Sequence, residues 1–552
     1  MRLKNSTILL LLVITTAWLP LAGGAQFVIT DYGAVGDGKT NNAGALTEAI
    51  QAASRAGGGT VVVPPGDFMS GPIDLASHIT LYLEAGATLR ASTRLEDYPL
   101  EPDAWSGESK RKGLITTRNA RNVTITGRGT IEGSGMAFAY PDKVISMDFG
   151  IRKLTRQGED YMSPKFGVQH GPFAVPTDRP GNLVRFRDCQ DVLVSGITIQ
   201  NAPTWTMKFM DSSVIKVLGV HINSFASDLR MPNDDGMDIY NCRFVQIADC
   251  DIQTSDDCIA VFGVENITVS NCTLRSRSAG VRVGWIGPDI KNGTFNNLVI
   301  NSNRGLNVCV RGSGSVENIV FSNILIRTGL LTGNWWGKGD PIHVSALPPA
   351  DEKSPGKIKD VRFSNIITEG PAGILVYGSD NSVIRNLVFD RVRVKMRNDP
   401  LAEAYGGNFD LRGEDRMKPE MSIFQHDIPA FYARNVDGLS LRGFEAEWAD
   451  DIPAFFSSGI EIEKFSNVDI DGFSGRQAHK NGKAAVIRLS DGRFVSIRNS
   501  VATKDAGVFL EHSQVRGSLF VHNDLTRARS VANPAKLPFT ASGNLMPGTG
   551  GR

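Results

Sequence analysis

Short apolar segments, in which buried and exposed positions alternate, recur along most of the chain. In each of them a strand-like stretch is followed by Gly, Asn or Asp and then by a second short apolar stretch. The repeated segments are RNVTITGRGTI (121–131), QDVLVSGITI (190–199), SSVIKVLGVHI (212–222), CRFVQIADCDI (242–252), ENITVSNCTL (265–274), ENIVFSNILI (317–326), KDVRFSNIIT (359–368), SVIRNLVFDRVRV (382–394), DGLSLRGFEA (437–446), SNVDIDGFSG (466–475) and GRFVSIRNSV (492–501). Uninterrupted copies lie 22 residues apart, as from Val192 to Val214 and from Cys250 to Cys272.

This period predicts an all-β solenoid in which each coil buries its inward residues against its neighbours. A propeller would repeat at about 40 residues or more, and a leucine-rich repeat would carry a Leu/Asn ladder, so both fit less well. The pattern favours a right-handed parallel β-helix.

One amphipathic helix is predicted before the coils, within residues 40–59. Ala43, Leu46, Ile50 and Ala53 fall on one face, and three glycines end the segment. We expect this helix to cap the N-terminal end of the solenoid, because an open end would expose apolar core and unpaired strand edges.

The N-terminus has the features of an export signal. A basic start, an apolar stretch of about 14 residues and small residues up to Ala25 fit a cleaved signal peptide over residues 1–25, and the apolar stretch is shorter than the roughly 20 residues that a membrane span needs. We therefore expect an exported protein, periplasmic or extracellular. Residues 26–530 are predicted to form a single β-helix domain with long loop insertions, and residues 531–552 a C-terminal tail.

Charge and cysteine content exclude several classes of partner. The 59 Lys+Arg residues balance 58 Asp+Glu residues, so no global field attracts nucleic acid or an anionic membrane, and we expect neither as a partner. The six cysteines contain no CxxC pair and sit in or beside strand-like segments, which predicts buried free thiols and not a zinc site. We expect a monomer without a metal or other cofactor.

Aspartates concentrate in the stretch NDDGMDIYNCRFVQIADCDIQTSDDCIAVFG (233–263). Asp235 precedes Asp256 and Asp257 by 21 and 22 residues, which is one repeat, so the three should lie on adjacent coils about 4.8 Å apart. Neighbouring strand residues point to opposite faces, so Asp256 and Asp257 require a bend before Cys258. Three carboxylates are therefore predicted to converge on one outer groove.

Clustered carboxylates suit hydrolysis of a glycosidic bond. One carboxylic acid protonates the leaving oxygen while carboxylates activate water, and crowding keeps one member protonated. Because the bend points the carboxylates in different directions, we expect the acid and the base to lie roughly 6.5–9.5 Å apart, as in an inverting enzyme. The alternative is that the aspartates cap turns or bind a structural cation.

The motifs PNDDGMDI (232–239) and SDDCIAV (255–261) resemble the NTDG and GDDCIAI motifs of glycoside hydrolase family 28, the polygalacturonases and their relatives. DYGAVGDGKTNN, GGGTVVVPPGDF and NAPTWTMKF extend the resemblance over most of residues 26–395. It implies an inverting hydrolase on a right-handed parallel β-helix. It further implies two water-activating bases, Asp235 and Asp256, with Asp257 as the general acid and Asn233 and Asp238 as supporting polar residues.

The chain departs from the family at two motifs. Ala279 stands where polygalacturonases have the histidine of GHG, and Asn307 and Cys309 stand where they have the cations of RIK. Arg282 is the nearest candidate to replace the missing uronate clamp. We therefore expect a poly- or oligosaccharide substrate, pectic or otherwise complex, whose sugar at the cleaved bond need not be galacturonate.

A long insertion carries further candidates for sugar contact. In TGNWWGKGDPIHVS, Trp335 and Trp336 offer faces for stacking, while Lys338 and His343 offer hydrogen bonds. The GVQHGPF loop (167–173) is predicted to wall one end of the cleft, which would make the enzyme exo-acting.

Two other classes stay open at this point. A polysaccharide lyase on this fold needs a Lys or Arg base and usually calcium, and the chain offers clustered acids with no clear base. A non-catalytic glycan-binding β-helix is the other, because the missing histidine is compatible with lost catalysis.

Overall fold

The computed structural model of the protein describes residues 24–101, 109–145, 156, 163–166, 173–224, 230–332, 337–348, 355–411, 423–480 and 482–548. Of the predicted signal peptide, only Gly24 and Ala25 lie within these residues, and the rest lies outside them.

The regular secondary structure of the described chain consists almost entirely of strands. The first half contains β1 (Gln26–Val28), β2 (Gly59–Val63), β3 (Gly66–Ser70), β4 (Ile73–Leu75), β5 (Ile79–Leu83), β6 (Ala87–Ala91), β7 (Ile115–Arg118), β8 (Arg121–Gly127), β9 (Thr130–Glu132), β10 (Ala139–Ile145), β11 (Phe173–Pro176), β12 (Val184–Arg187), β13 (Gln190–Ser195), β14 (Thr198–Gln200), β15 (Met207–Met210), β16 (Ser213–Leu218), β17 (His221–Asn223), β18 (Met237–Tyr240), β19 (Cys242–Ala248), β20 (Asp251–Thr254), β21 (Ile259–Val261), β22 (Val264–Ser270) and β23 (Thr273–Trp285). The second half contains β24 (Ile290–Val310), β25 (Val316–Thr328), β26 (Ile342–Ala346), β27 (Ile358–Gly370), β28 (Ile374–Gly378), β29 (Ile384–Met396), β30 (Phe409–Asp410), β31 (Ile423–Phe424), β32 (Phe431–Arg442), β33 (Glu445–Trp448), β34 (Ile460–Asp471), β35 (Ser474–Gly475), β36 (Ile487–Arg498), β37 (Val501–Ala502), β38 (Ala506–Val521), β39 (Ala528–Asn533) and β40 (Thr540–Ser542). The helices are α1 (Ala43–Arg55) and α2 (Ala402–Tyr405), with 3₁₀ turns at Ile29–Tyr32, Leu95–Asp97, Gly135–Phe138 and Pro164–Phe166.

The strands stack coil upon coil in parallel. Strands β15, β16 and β17 pair with β18, β19 and β20 of the next coil, which pair in turn with β21, β22 and β23. Within the described residues, the antiparallel pairs of strands are β10 with β11 and β30 with β31, and Leu100 and Arg111 form a single antiparallel bridge. The prediction of an all-β solenoid of parallel strands is confirmed.

The interior is filled by one inward side chain per coil at each equivalent position. Four phenylalanines stack along the axis, with ring centroids 4.9 Å apart from Phe295 to Phe321, 5.1 Å from Phe321 to Phe363 and 4.7 Å from Phe363 to Phe389. This spacing matches the distance between neighbouring strands, so the repeat of the sequence becomes a continuous aromatic column.

Asparagines at the corners explain the polar residue inside each repeat. Asn266, Asn292 and Asn318 occupy equivalent corners at φ 66°, 60° and 57°, a left-handed conformation that Asn tolerates better than most residues. Each Nδ2 donates to the Oδ1 of the coil before it at 3.2 Å, from Asn292 to Asn266 and from Asn318 to Asn292.

The predicted helix is present as α1, and its apolar face is buried. Leu46, Ala49, Ile50 and Ala53 belong to the same apolar core as the coils. At the other end of the chain, β39 and β40 pair with β38, so the sheet continues into residues 531–552.

All six cysteines are free and buried, as the sequence predicts. Among the described residues, no helix has the length and apolar character needed to cross a lipid bilayer.

Candidate functional site

Two bends on adjacent coils bring the aspartates together. Asp234 and Asp235 lie just before β18, and Asp256 and Asp257 lie between β20 and β21. The strand register pairs Met237 with Ile259, so the two bends occupy equivalent positions one coil apart. The predicted bend before Cys258 is therefore observed, and it frees both carboxylates from the alternation of a strand.

Three of these carboxylates form a compact buried cluster. One oxygen each of Asp235, Asp256 and Asp257 lies within 4.8 Å of the others. The three residues are only 2%, 5% and 0% exposed. The oxygens are thus closer together than the separation of roughly 6.5–9.5 Å that the sequence analysis expected of an inverting enzyme.

Asp257 is contacted by one cation and by two hydrogen-bond donors. Its Oδ1 accepts hydrogen bonds from Ser278 Oγ at 2.7 Å and from the backbone N–H of Ala279 at 2.9 Å. Its Oδ2 lies 2.7 Å from Nε of Arg282. Ala279, at the histidine position of the family motif, therefore still contributes to the site through its backbone.

Arg282 supplies the positive charge within the cluster. Its side chain is 8% exposed, and its Nη2 lies 3.8 Å from Oδ2 of Asp235. Burial by itself lowers the pKa of Arg282, but the surrounding carboxylates, led by Asp257, raise it above its ordinary value. The cluster could also hold a divalent cation, but the guanidinium already provides a cation at this position.

The other two carboxylates are less well compensated. Burial raises the pKa of Asp235 well above its ordinary value, and the neighbouring carboxylates, first Asp256, raise it further. Burial and then Asp257 raise the pKa of Asp256 in the same way. Asp256 forms no ion pair among the residues that the structure describes, whereas the other two members approach Arg282. The cluster therefore favours a proton on Asp256.

Asp234 fixes the bend that carries Asp256. Its Oδ1 accepts hydrogen bonds from the backbone N–H groups of Ser255 and Asp256, both at 2.9 Å. Burial raises the pKa of Asp234 to about 6 despite these bonds.

Three further predicted contact residues, Asp238, Asn307 and His343, lie with Arg282 in one outward-facing column of the sheet. The strand register aligns, coil after coil, Lys208, Asp238, Ala260, Arg282, Asn307 and His343. Asp238 and Asn307 are buried, and Asn307 Oδ1 accepts no hydrogen bond within the described residues. Asn233 lies beside this column at φ 60°, where its Oδ1 accepts a hydrogen bond from Arg179 Nη2 at 3.0 Å.

His343 and Lys338 lie in a buried polar network on the following coils. His343 is fully buried, with Nδ1 3.0 Å from Asp340 Oδ2 and Nε2 2.7 Å from Ser345 Oγ. Asp340 also pairs with Arg304 at 2.7 Å. Burial and the positive charge of Arg304 lower the pKa of His343 to about 4, so the ring is neutral at pH 7.

Lys338 is held beside this network. Its backbone N–H donates to Asp340 Oδ1 at 2.7 Å, and its Nζ lies 5.2 Å from the ring centroid of Tyr405. Trp335, Trp336 and residues 167–172 of the predicted wall lie outside the described residues.

Sequence reasoning missed three residues of the site. Ser278 and Asp340 bind site residues directly, and Arg179 reaches Asn233 from an insertion 54 positions earlier. Asp340 lies three residues before His343, and this short spacing could have indicated from the sequence that the two side chains interact. Nothing in the local sequence marks Ser278 or Arg179, because their contacts join separate coils.

The chain is similar in sequence to proteins of a known enzyme family. The chain matches the family described as Glycosyl hydrolases family 28 over residues 54–333, which include the three carboxylates. It is 30% identical over 244 residues to a probable polygalacturonase of Vitis vinifera, covering 42% of this chain and 43% of that protein. It is 27% identical over 251 residues to an exo-poly-alpha-D-galacturonosidase of Dickeya chrysanthemi, covering 42% of this chain and 41% of that protein.

These two matches span less than half of each relative. Among solved structures, the chain resembles a family 28 exopolygalacturonase of Yersinia enterocolitica, with a TM-score of 0.57 and 19% identity over 81% of this chain and 79% of that one. This structural likeness supports the fold.

Proposed function

The chain belongs to glycosyl hydrolase family 28, and we propose that it is an exported, exo-acting glycoside hydrolase that removes sugars from pectic or other complex oligosaccharides. The observation that carries this proposal is the buried cluster of Asp235, Asp256 and Asp257, compensated by a single guanidinium. Buried carboxylates are costly unless they are paired or used in chemistry, and within the described part of the chain Arg282 is the cation that forms ion pairs with this cluster.

We assign the acid and base roles from the contacts of each carboxylate. Asp257 is held by Arg282 and two hydrogen bonds, so it suits the base that takes a proton from water. Asp256 has a raised pKa and no ion pair in the described part of the chain, so it suits the acid that protonates the leaving oxygen. This reverses the roles that the sequence resemblance implied for these two residues.

The reaction then needs no further group. Water attacks the anomeric carbon as Asp257, assisted by Asp235, accepts its proton, and the glycosidic C–O bond breaks as Asp256 donates a proton to the departing oxygen. Because water attacks directly and no covalent intermediate forms on a carboxylate, this reaction inverts the configuration at the anomeric carbon.

Exo action is supported by the enclosure of the site. The three carboxylates are at most 5% exposed, and polar side chains on either side of them are buried as well, including Arg179 and Lys338. A long polymer would need an open groove on both sides, whereas a chain end can enter a pocket.

Two of the arginines beside the site are already paired with protein carboxylates. Arg282 pairs with Asp257, and Arg304 pairs with Asp340. A substrate carboxylate at the cleaved bond would therefore lack a bidentate partner from these two residues, and an unpaired buried carboxylate is unfavourable. This supports a neutral or differently decorated sugar at that position.

Several broader features of the protein belong to the same proposal. We infer a right-handed β-helix domain over residues 26–530 whose N-terminal end is capped by α1, because the apolar face of α1 joins the core of the coils. Cleavage of residues 1–25 and a monomeric enzyme are parts of the proposal that the sequence alone supports.

Product analysis tests the function directly. Purified protein is incubated with a panel of pectic and other complex oligosaccharides, and products are separated and assayed for reducing and unsaturated ends. We expect new reducing ends and released monosaccharide or disaccharide without unsaturation. Products that absorb in the ultraviolet as unsaturated sugars would point to a lyase, and binding without products would point to a glycan-binding protein.

A further inference from the structure

Two aromatic rings lie close to the guanidinium of Arg282. Its central carbon lies 4.7 Å from the ring centroid of Phe262 and 5.4 Å from that of Trp285. Both distances are within the range in which a cation is attracted to an aromatic ring. The residue that compensates the acidic cluster is therefore held by contacts with more than the carboxylates.

An unusual backbone conformation brings Trp285 to this place. Along β23 side chains alternate, so Arg282 points outward, Val283 inward, and residue 285 would point inward again. Gly284 at φ 99° and Trp285 at φ 150° break this alternation at the end of the strand. A tryptophan at such a positive φ is rare and strained, and strain of this kind persists where the surroundings enforce it.

Close packing enforces the bend. A Cβ on Gly284 would lie 2.0 Å from the carbonyl oxygen of Cys309 on the next coil, so only glycine fits there. Trp285 consequently leaves the core and lies half-buried beside Arg282.

Phe262 reaches Arg282 from the preceding coil. Ala260, the register partner of Arg282, is small and leaves space on the outward face, and Phe262 lies two residues further along the same face. The backbone N–H of Phe262 donates to Ile239 O at 2.8 Å, and the residue is 9% exposed. Its backbone is therefore held by the preceding coil, and its side chain is buried.

We propose that Phe262 and Trp285 are positioning residues that clamp the Arg282 guanidinium, so that its Nε stays at ion-pair distance from Asp257 and its Nη2 near Asp235. This inference rests on the proposed hydrolytic function for its kinetic consequences, but the geometry of the clamp can be measured without it.

The clamp has a physical reason. An arginine side chain has about 2 kcal/mol of rotamer entropy, and a guanidinium packed against aromatic rings is pre-organised before substrate binds. The guanidinium of Arg311 also lies near the Trp285 ring, 5.6 Å from its centroid. Trp285 therefore contacts two guanidinium groups of like charge.

The charged and titratable groups around Arg282 determine how a loose clamp would act. Asp257, Asp235, Asp256 and the Cys309 thiol face the guanidinium. The positive charge of Arg282 lowers the pKa of both Asp235 and Asp256, partly offsetting burial. If Arg282 moves away, the pKa of each acid rises further, and both limbs of the pH profile move to higher pH.

The test uses Trp285→Leu and Phe262→Leu in the full-length enzyme. We expect each variant to lose at least about tenfold in kcat with little change in KM, because misplacement of a catalytic constellation by about 1 Å costs up to 10²-fold. The pH profile of kcat/KM should move to higher pH. Trp285→Phe keeps an aromatic ring and should restore most of the activity and the original profile.

Trp448→Leu is the matched control. Trp448 is also half-buried, packs against Phe456 with ring centroids 5.8 Å apart, and donates from Nε1 to Arg476 O on the next coil. This substitution should lower stability without moving the pH profile. An equal shift in Trp448→Leu and Trp285→Leu would assign the effect to general destabilisation and overturn the proposal.

Crystal structures of the two leucine variants provide a readout that does not depend on activity. We expect the distance from Arg282 Nε to Asp257 Oδ2 to lengthen from 2.7 Å beyond ion-pair range. An unchanged distance would overturn the clamp even in an active enzyme. Conversely, a wild-type protein that hydrolyses no glycan would overturn the proposed function while leaving the distance test of the clamp intact.

Discussion

The Asp234 carboxylate oxygen Oδ1 lies 2.9 Å from the backbone nitrogen of Asp256 on the next coil. One aspartate of the first pair thus orients the backbone that carries an aspartate of the second pair. The two Asp-Asp pairs are therefore not equivalent copies, because Asp234 supports the bend while Asp235, Asp256 and Asp257 form the cluster.

Asp234→Asn should be more stable than wild type at neutral pH. At acidic pH this advantage over wild type should disappear. The pKa of Asp234 is raised from 3.8 to about 6 by burial, so the folded state binds this proton more tightly than the unfolded state. Stability from this group is present below about pH 4 and is lost as the pH rises towards 6. At pH 7 the loss is on the order of 3 kcal/mol, which Asp234→Asn should regain.

Urea unfolding of wild type and Asp234→Asn at pH 4 and pH 7 measures this effect. The amide oxygen of Asn still accepts the two backbone hydrogen bonds, so Asp234→Ala serves as the variant that loses the bend and should be destabilised at both values. If wild type and Asp234→Asn differ in free energy of unfolding by the same amount at pH 4 and at pH 7, the prediction is wrong.

Asp256→Asn and Asp257→Asn should differ in their dependence on the leaving group. Both should lose about 10²–10⁴-fold on a natural oligosaccharide, because each removes one proton-transfer step. On an aryl glycoside with an acidic phenol, Asp256→Asn should regain most of its activity, since the phenolate leaves without a proton. Asp257→Asn should stay inactive on both substrates.

Turnover of each variant on the two substrates decides the assignment. Recovery of Asp257→Asn and not of Asp256→Asn on the aryl glycoside would return the acid role to Asp257, as the sequence resemblance implied.

Hydrolysis should invert the configuration of the anomeric carbon, because separate carboxylates activate the water and protonate the leaving group. Proton NMR of the first product, recorded within minutes before mutarotation, identifies the anomer. The short spacing of the acids, with oxygens within 4.8 Å, makes this measurement informative. A product of retained configuration would show that one aspartate acts as a nucleophile.

Homopolygalacturonan should be a poorer substrate than its carboxyl-reduced counterpart. Arg282 and Arg304 are paired with Asp257 and Asp340, so a uronate at the cleaved bond gains no bidentate partner from them. Initial rates on the two polymers at equal chain length test this. Efficient cleavage of the charged polymer alone would mean that a cation is released to the substrate, with Arg282 as the first candidate.

Removing one ring from the phenylalanine column should destabilise the solenoid. Phe321 is fully buried between Phe295 and Phe363, so Phe321→Ala should cost about 3–5 kcal/mol of unfolding free energy. Phe494, which is 59% exposed, provides the control, and Phe494→Ala should change stability by less than about 0.5 kcal/mol. Similar losses in both variants would argue against the column as a source of stability.

The sequence by itself determined the repeating coil of the fold and which residues lie next to each other on adjacent coils. Because inward positions recur every 22 residues and strands stack in register, the offset from Asp235 to Asp257 was enough to predict that they lie one coil apart. The corner asparagines and the buried cysteines follow from the same repeat, since each position is repeated in an equivalent environment.

Only the tertiary structure decided what each carboxylate does. Asp256 and Asp257 are adjacent and chemically identical in the sequence, and they differ because Ser278, Ala279 and Arg282 of the next coil all contact Asp257. The state of a buried acid depends on the charges and hydrogen bonds within a few ångströms, and these come from coils that the local sequence does not link. Trp285 is the clearest example, because strand alternation predicts that its ring points inward. Gly284 instead packs against the backbone of Cys309 in a conformation that breaks the alternation, and the Trp285 ring lies beside Arg282.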